Sequence, residues 1–259
     1  MKRSGFHYVS IGIVFLYLVV PLLATLAYSF ATQWHKTVLP EGFTFEWYVA
    51  LFNDPRFINS LVRSLLVTVG TTILALVIMV PAVFSIVLYA PKLEKFIQAI
   101  IVMTYAMPGV IIAVGLIRAY SGSGISMVFV TIGAYFVSIL PYMYQGTRNS
   151  LRNVNAATLM ESAQILGASQ FTAFRKVVLP NITSGVLVSS LLSFSILFGE
   201  FVLINMLAGG NFETVQIYLY KKLNESGHLA SAIVVCYFLL ICILSIVIVK
   251  MIRTKKETF

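Results

Sequence analysis

The chain has 259 residues, 59% of them hydrophobic and only 10% charged, with a formal net charge of +9 and a mean hydropathy of +0.93. A soluble domain carries charge on about a quarter of its residues, so this mixture excludes a fold solvated mainly by water and makes lipid the solvent. The basic excess does not point to nucleic acid, because the lysines and arginines sit in short segments between apolar runs, where they set topology.

A bilayer core about 30 Å thick takes about 20 helical residues. The first run of that length covers residues 8–30 behind Lys2 and Arg3. It is longer than a signal-peptide core and no small-residue cleavage site follows, so a retained helix is expected. Residues 31–59 form a long loop with Trp34, Trp47 and Tyr48, which suit an interfacial aromatic belt. Further runs cover 60–89, 96–120, 126–145, 182–207 and 229–251. Pro81, Pro108 and Pro141 fall within or near the ends of these runs, where membrane helices tolerate them as kinks. Cys236 and Cys242 share one apolar run and read as packing residues. His7, His35 and His228 flank spans, His228 as an interfacial residue, and make no metal site.

Charge orients the spans. With an inside N-terminus, inside segments hold Lys2, Arg3, Lys92, Lys95, Arg148, Arg152, Arg175, Lys176, Lys250, Arg253, Lys255 and Lys256, against Lys36, Arg56, Lys221 and Lys222 outside. The expectation is therefore an all-α membrane protein with six transmembrane helices and both termini in the cytoplasm. Residues 1–259 are expected to form a single transmembrane domain, with a core from about 55 to 255 and a cytoplasmic loop at 147–181.

That loop is the informative one. Asn153 or Asn155 can cap a helix through Ala156, Ala157, Leu159, Met160, Ala163 and Leu166, and Gly167 can stop it in the left-handed conformation. Ser169 can cap a second helix carrying Phe171, Phe174, Val177 and Val178, which Pro180 is expected to end. A helix–glycine–helix elbow with exposed apolar side chains marks a partner site, or else it packs back under its own bundle. Glu161, Ser162, Ala163, Gly167, Val177, Leu179 and Pro180 resemble the EAA loop of ABC importer permeases, whose pattern is E-A-A, three residues, G, nine residues, I, one residue, L-P. Ser162 stands where the pattern has alanine and Val177 where it has isoleucine.

The resemblance implies a MetI-like permease fold and a coupling helix seated in a separate nucleotide-binding subunit. By position it implies that Glu161 meets a basic group on that partner, that Gly167 turns the chain and that Phe171 and Phe174 fill an apolar groove. It further implies a second permease subunit (identical or different), two ATPase subunits and an extracytoplasmic solute-binding protein. No glycine precedes a lysine, so a Walker A loop is absent from the sequence, and no H-E-x-x-H, C-x-x-C or G-x-S-x-G occurs. No catalytic residue and no cofactor are expected in this chain; ATP and magnesium would belong to the partner.

Glu200, in the run at 182–207, is a carboxylate at membrane depth. Such a group lines a translocation pathway or pairs with a charge such as Arg63 or Arg118. Both arginines could equally snorkel to the outer interface. Pro108 and Gly109, followed by Val110 and Gly115, are similar to the polyamine, ferric-iron and aminophosphonate permeases, as is the stretch from Phe198 to Tyr220. In that group the outer loop meets the binding protein, which makes Gly209 and Gly210 candidates for its bend and Glu213, Lys221 and Lys222 candidate docking charges; a solvated loop is the alternative. The solute implied is small and charged, with a polyamine favoured by Glu200. The competing class, an ion-driven secondary transporter, predicts an inverted repeat, and no repeat is evident.

Overall fold

The computed structural model describes residues 3–34 and 40–256, with side chains for residues 7–34 and 40–250. Lys2, His35 and Lys36 lie outside the described residues, as do the side chains of Arg3, Arg253, Lys255 and Lys256. The chain is helical: α1 (Arg3–Phe30), α2 (Glu46–Phe52), α3 (Pro55–Tyr89), α4 (Pro91–Ala106), α5 (Gly109–Tyr120), α6 (Met127–Asn153), α7 (Ala156–Ile165), α8 (Gln170–Ala173), a π-turn (Phe174–Val178), α9 (Leu179–Phe198), α10 (Val202–Leu207), α11 (Val215–Leu223) and α12 (Gly227–Lys256). Among the described residues no strand forms, and one antiparallel bridge joins Ala31 to Phe43. Among the described residues five helices are long and apolar enough to cross a bilayer, and α4 with α5 makes a sixth span if the pair is counted as one.

That pair differs from the continuous helix expected over 96–120. The axis bends by 96° between Ala106 and Gly109. Pro108 is the cause: the residue before a proline is pushed out of the helical region, and Met107 is extended at φ −93°, ψ 115°. Pro81 and Pro141, by contrast, lie inside uninterrupted helices. The run at 182–207 is also broken, with α9 ending at Phe198 and α10 beginning at Val202.

The described residues divide into two compact units, Met1–Ser60 with Ile217–Cys242 and Leu61–Gln216 with Ile243–Phe259. In the first, His228, at the start of α12, is buried within the protein. Its ring stacks on Tyr28 at 4.1 Å and on Trp47 at 5.4 Å, and Nδ1 lies 2.9 Å from the Tyr28 carbonyl. Trp47 and Tyr48, expected in an interfacial belt, belong to this aromatic cluster: Trp47 donates to the Ala31 carbonyl at 2.9 Å, and the Tyr48 hydroxyl pairs with Ser29 Oγ at 2.7 Å. Tyr218 donates to Asp54 Oδ2 at 2.7 Å. That bond, aided by Lys222 and Arg56 against partial burial, holds the Asp54 carboxyl below its ordinary range.

A carboxylate with a depressed folded-state pKa contributes stability that is present above its unfolded value and lost as pH falls through the folded one. Tyr218→Phe should therefore lower the melting temperature above about pH 5, with the gap to wild type closing below about pH 4. Thermal melts in detergent across that range check this, and a gap independent of pH would contradict it.

The second unit is built on α6 against α9. Thr131, Tyr135, Ile139, Met143, Thr147 and Leu151, each one helical turn apart, are all buried on α6. Ile182, Val186, Ser190, Phe194 and Phe198 form the matching stripe on α9. Small residues bring the backbones together, as in membrane helix pairs. A β-carbon on Gly146 would collide with Ser189, and one on Gly185 with Ser150. The two serines are thus each a turn beyond a glycine on their own helix and face the glycine of the other. Their hydroxyls bond back to carbonyls of their own helices, Ser150 to Gly146 at 2.7 Å and Ser189 to Val186 at 2.9 Å.

Candidate functional site

The elbow closes as its sequence requires, with two differences. Gly167 is left-handed at φ 85°. Its N–H donates to the Gln164 carbonyl at 2.9 Å, and the Ala168 N–H donates to the Ala163 carbonyl at 3.0 Å. This pair of bonds is a Schellman motif, which satisfies the terminal carbonyls of α7. Ser169 Oγ accepts from the Thr172 N–H at 3.3 Å, the expected cap of α8.

Asn155 does precede α7, but its side chain makes no capping bond; the residue is itself left-handed at φ 49°. Asparagine is among the few residues that tolerate this region. Pro180 does not end the second helix. The π-turn at Phe174–Val178 leads straight into α9, with Pro180 in its first turn. A π-turn widens the bonding ladder, so the missing N–H of Pro180 breaks nothing there. The Asn181 amide donates to the Val177 carbonyl at 2.8 Å and takes up a nearby acceptor.

The elbow presents one apolar face outward and buries the other. Ala156, Met160, Ala163, Ala173 and Val178 are buried, whereas Glu161 and Ser162 are exposed. Ile165, Leu166 and Phe171 are 86%, 87% and 69% exposed. Phe174 turns the other way, its ring 4.5 Å from that of Phe84, and Leu179 is half-buried. Of the two phenylalanines assigned to a partner groove, Phe171 is available and Phe174 anchors the elbow to α3. Ile165 was missed from sequence because it falls in register with helix formers; the tell-tale is an apolar pair next to a left-handed glycine, where no neighbouring turn can cover it.

Glu200 sits in the break between α9 and α10 and is half-buried. Oε1 accepts from the Leu203 N–H at 2.8 Å and Oε2 from the Ile204 N–H at 3.2 Å, so the carboxylate caps the first turn of α10. Among the described residues neither Arg63 nor Arg118 pairs with it. Arg63 stands 5.3 Å over the Phe212 ring, and Arg118 is exposed at the end of α5. The Glu200 residue also lines a cavity of about 10 Å³, room for a single water molecule, with Ser64, Thr68, Tyr135 and Thr214. Glu200→Ala should cost about 1 kcal/mol, the worth of a helix cap, with Glu200→Gln intermediate because one acceptor oxygen remains. Thermal unfolding of the three forms tests this; Ala and Gln variants of equal stability would refute the capping role.

Pro108 opens α5, and its carbonyl accepts from Ile111 and Ile112 at 3.0 and 3.2 Å. α5 packs on α10, and a β-carbon on Gly109 would lie 3.8 Å from Val202. The bend at Pro108 and the break at Glu200 thus meet through these two helices. In the stretch from Phe198 to Tyr220 neither Gly209 nor Gly210 is left-handed. Gly209 is needed because a β-carbon would strike the Asn205 backbone, while Gly210 lies in open space and Glu213 is half-exposed.

One ion cluster was not foreseen. Glu94, in the first turn of α4, is 7% exposed and accepts from Arg148 Nε and, at 2.9 Å, from Arg152 Nη2. Its signal in the sequence was scarcity: with nine acidic residues in the whole chain, a carboxylate between Lys92 and Lys95 stands out.

Three comparisons bear on this architecture. The spermidine/putrescine transport system permease protein PotC of Haemophilus influenzae is 23% identical over 98% of this chain and 97% of its own length. A candidate 2-aminoethylphosphonate transport system permease protein, PhnV, of Salmonella typhimurium is 26% identical over 95% and 91%. In fold, a chain of a bacterial ABC transporter involved in the import of the acidic polysaccharide alginate superposes with a TM-score of 0.73 at 19% identity, covering 96% of each chain. The family model described as the inner membrane component of binding-protein-dependent transport systems matches residues 82–257, so the chain belongs to that family, as a permease subunit of an ABC importer.

Proposed function

We propose that this subunit forms half of a translocation pathway for a small charged solute, with a polyamine such as spermidine or putrescine favoured over ferric iron or an aminophosphonate. The elbow at 147–181 carries the proposal: a rigid helix closed by Gly167, with Glu161 exposed beside Ile165, Leu166 and Phe171, is shaped to seat in a partner's groove. That partner is one of two ATPase subunits, which bind the ATP and magnesium; a second permease subunit, identical or different, completes the pathway. Both termini lie in the cytoplasm with the elbow, as the distribution of lysine and arginine supports. The pathway passes the bend at Pro108 and Gly109 and the break at Glu200, and the extracytoplasmic binding protein docks on the segment with Gly209, Gly210 and Glu213.

Co-expression with a second permease subunit and the ATPase of the same importer, followed by affinity purification and reconstitution, tests this. The ATPase should co-purify, and vesicles loaded with ATP should accumulate labelled spermidine in the presence of the binding protein. Accumulation that persists without ATP, or is abolished by a proton uncoupler at constant ATP, would overturn the reading. Accumulation of ferric iron or 2-aminoethylphosphonate in place of polyamine would overturn only the solute.

A further inference from the structure

Helix α4 is held by few contacts. Glu94 and Ile101 are its buried residues, and at its far end Tyr105 meets Tyr142 of α6 edge-on at 5.5 Å. The Glu94 attachment is the ionic one. Both carboxylate oxygens lie 2.9 Å from Arg152 Nη2, and Oε1 also accepts a hydrogen bond from Arg148 Nε–H. Arg148 and Arg152 stand one turn apart on the last two turns of α6. Two residues beyond that helix comes Asn155, left-handed, and then α7. The carboxylate therefore ties the start of α4 to the base of the elbow, while the other end of α4 leads to the 96° bend. Glu94 also sits in the first turn of its helix, where the positive helix end favours a carboxylate.

We propose that Glu94 is a positioning residue, a clamp that makes α4 move with the elbow, so that displacement of α7 is carried to the bend at Pro108. This rests on the reading of the elbow as the ATPase contact. A carboxylate that only neutralises two arginines would hold α4 in place equally well, but its loss would not separate the movement of α4 from that of α7.

Spin-label distances in the assembled transporter, with nucleotide absent and then trapped with vanadate, separate the two. Cys236 and Cys242 are first replaced by serine, and labels are placed at the exposed positions Ala99, Gly133 and Thr158. In wild type and Glu94→Asp, the distance between Thr158 and Gly133 should change on trapping, while that between Ala99 and Thr158 stays narrow and constant. In Glu94→Gln the second distance should broaden and shift by about 2 Å or more on trapping, the scale of helix shifts in switching proteins. A Glu94→Gln complex with a narrow distance that ignores nucleotide overturns the clamp. Should that variant fail to assemble, Arg152→Gln keeps the Arg148 pair and should broaden the same distance to a smaller degree; no broadening there overturns the clamp as well. A wild-type Thr158 to Gly133 distance unmoved by nucleotide instead overturns the ATPase reading of the elbow, a distinguishable failure.

Discussion

Gly146→Leu should destabilise the permease by about 3 kcal/mol, the upper end for overpacking a close-packed interior, and should sharply reduce the folded yield. The reason is local. A β-carbon at residue 146 overlaps Ser189 at its own β-carbon, an atom fixed to the α9 backbone that no rotamer can withdraw. The helices must separate, and the buried stripes from Thr131 to Leu151 and from Ile182 to Phe198 lose contact along their length. The facing position gives a graded control. A β-carbon on Gly185 first meets Ser150 Oγ, which can rotate, with Ser150 Cβ at 3.1 Å behind it. Gly185→Ala should therefore be milder than Gly146→Ala, at the expense of the bond from Ser150 to the Gly146 carbonyl. Exchanging the pair, Gly146→Ser with Ser189→Gly, conserves volume at the contact and should recover part of the loss, a coupling that a double-mutant cycle measures. Unfolding in mixed micelles gives the four stabilities, and additive effects at residues 146 and 189 would refute the contact.

Gly167→Val should leave insertion and folding of the spans nearly untouched and weaken the proposed ATPase contact about tenfold. Residue 167 lies in open space, with nothing within 4 Å of where a β-carbon would stand, so a side chain there meets no steric obstacle. The cost is in the backbone: at φ 85° an L-residue bears about 1–2 kcal/mol, and about 1.4 kcal/mol is a factor of ten in binding. A β-branched residue would abandon the left-handed turn, and with it the two bonds that close α7 and aim Ile165, Leu166 and Phe171 outward. Gly167→Asn is the discriminating variant, since asparagine tolerates that region and should retain most of the binding. Titration of purified ATPase against the permease in nanodiscs reads both. Equal losses for valine and asparagine would show that side-chain bulk in the partner's groove, and not the turn, is what residue 167 controls.

Much of this molecule follows from local pattern. Runs long enough for a bilayer are visible because the lipid sets one length for every spanning helix, and the runs at 126–145 and 229–251 fall on α6 and α12, which extend beyond them to Asn153 and from Gly227 to Lys256. The elbow was legible for the same reason. Gly167 and Ser169 act on backbone groups within four residues of themselves, so their neighbours in sequence suffice to assign them. The proline at residue 108 was visible as a kink, but the size of the bend was not, and Pro81, in similar apolar surroundings, leaves its helix uninterrupted.

Other features depend on partners far along the chain. Glu200 looked like a pathway charge or half of an ion pair, and its carboxylate caps α10 because the helix breaks beside it. Phe174 and Phe171 are alike in sequence, and the position of Phe84 turns one inward. Glu94 meets arginines more than fifty residues away. Gly146 and Gly185 look like any other glycine until α6 and α9 are placed together.

The sequence by itself determined that the chain lives in lipid, where its apolar runs lie and where its elbow turns, because hydropathy, helix length and a left-handed glycine act over a few residues. Only the tertiary structure decided which carboxylates are capped or clamped, which phenylalanine faces outward and where helices touch, because each of these is settled by an atom that the chain delivers from a distant turn.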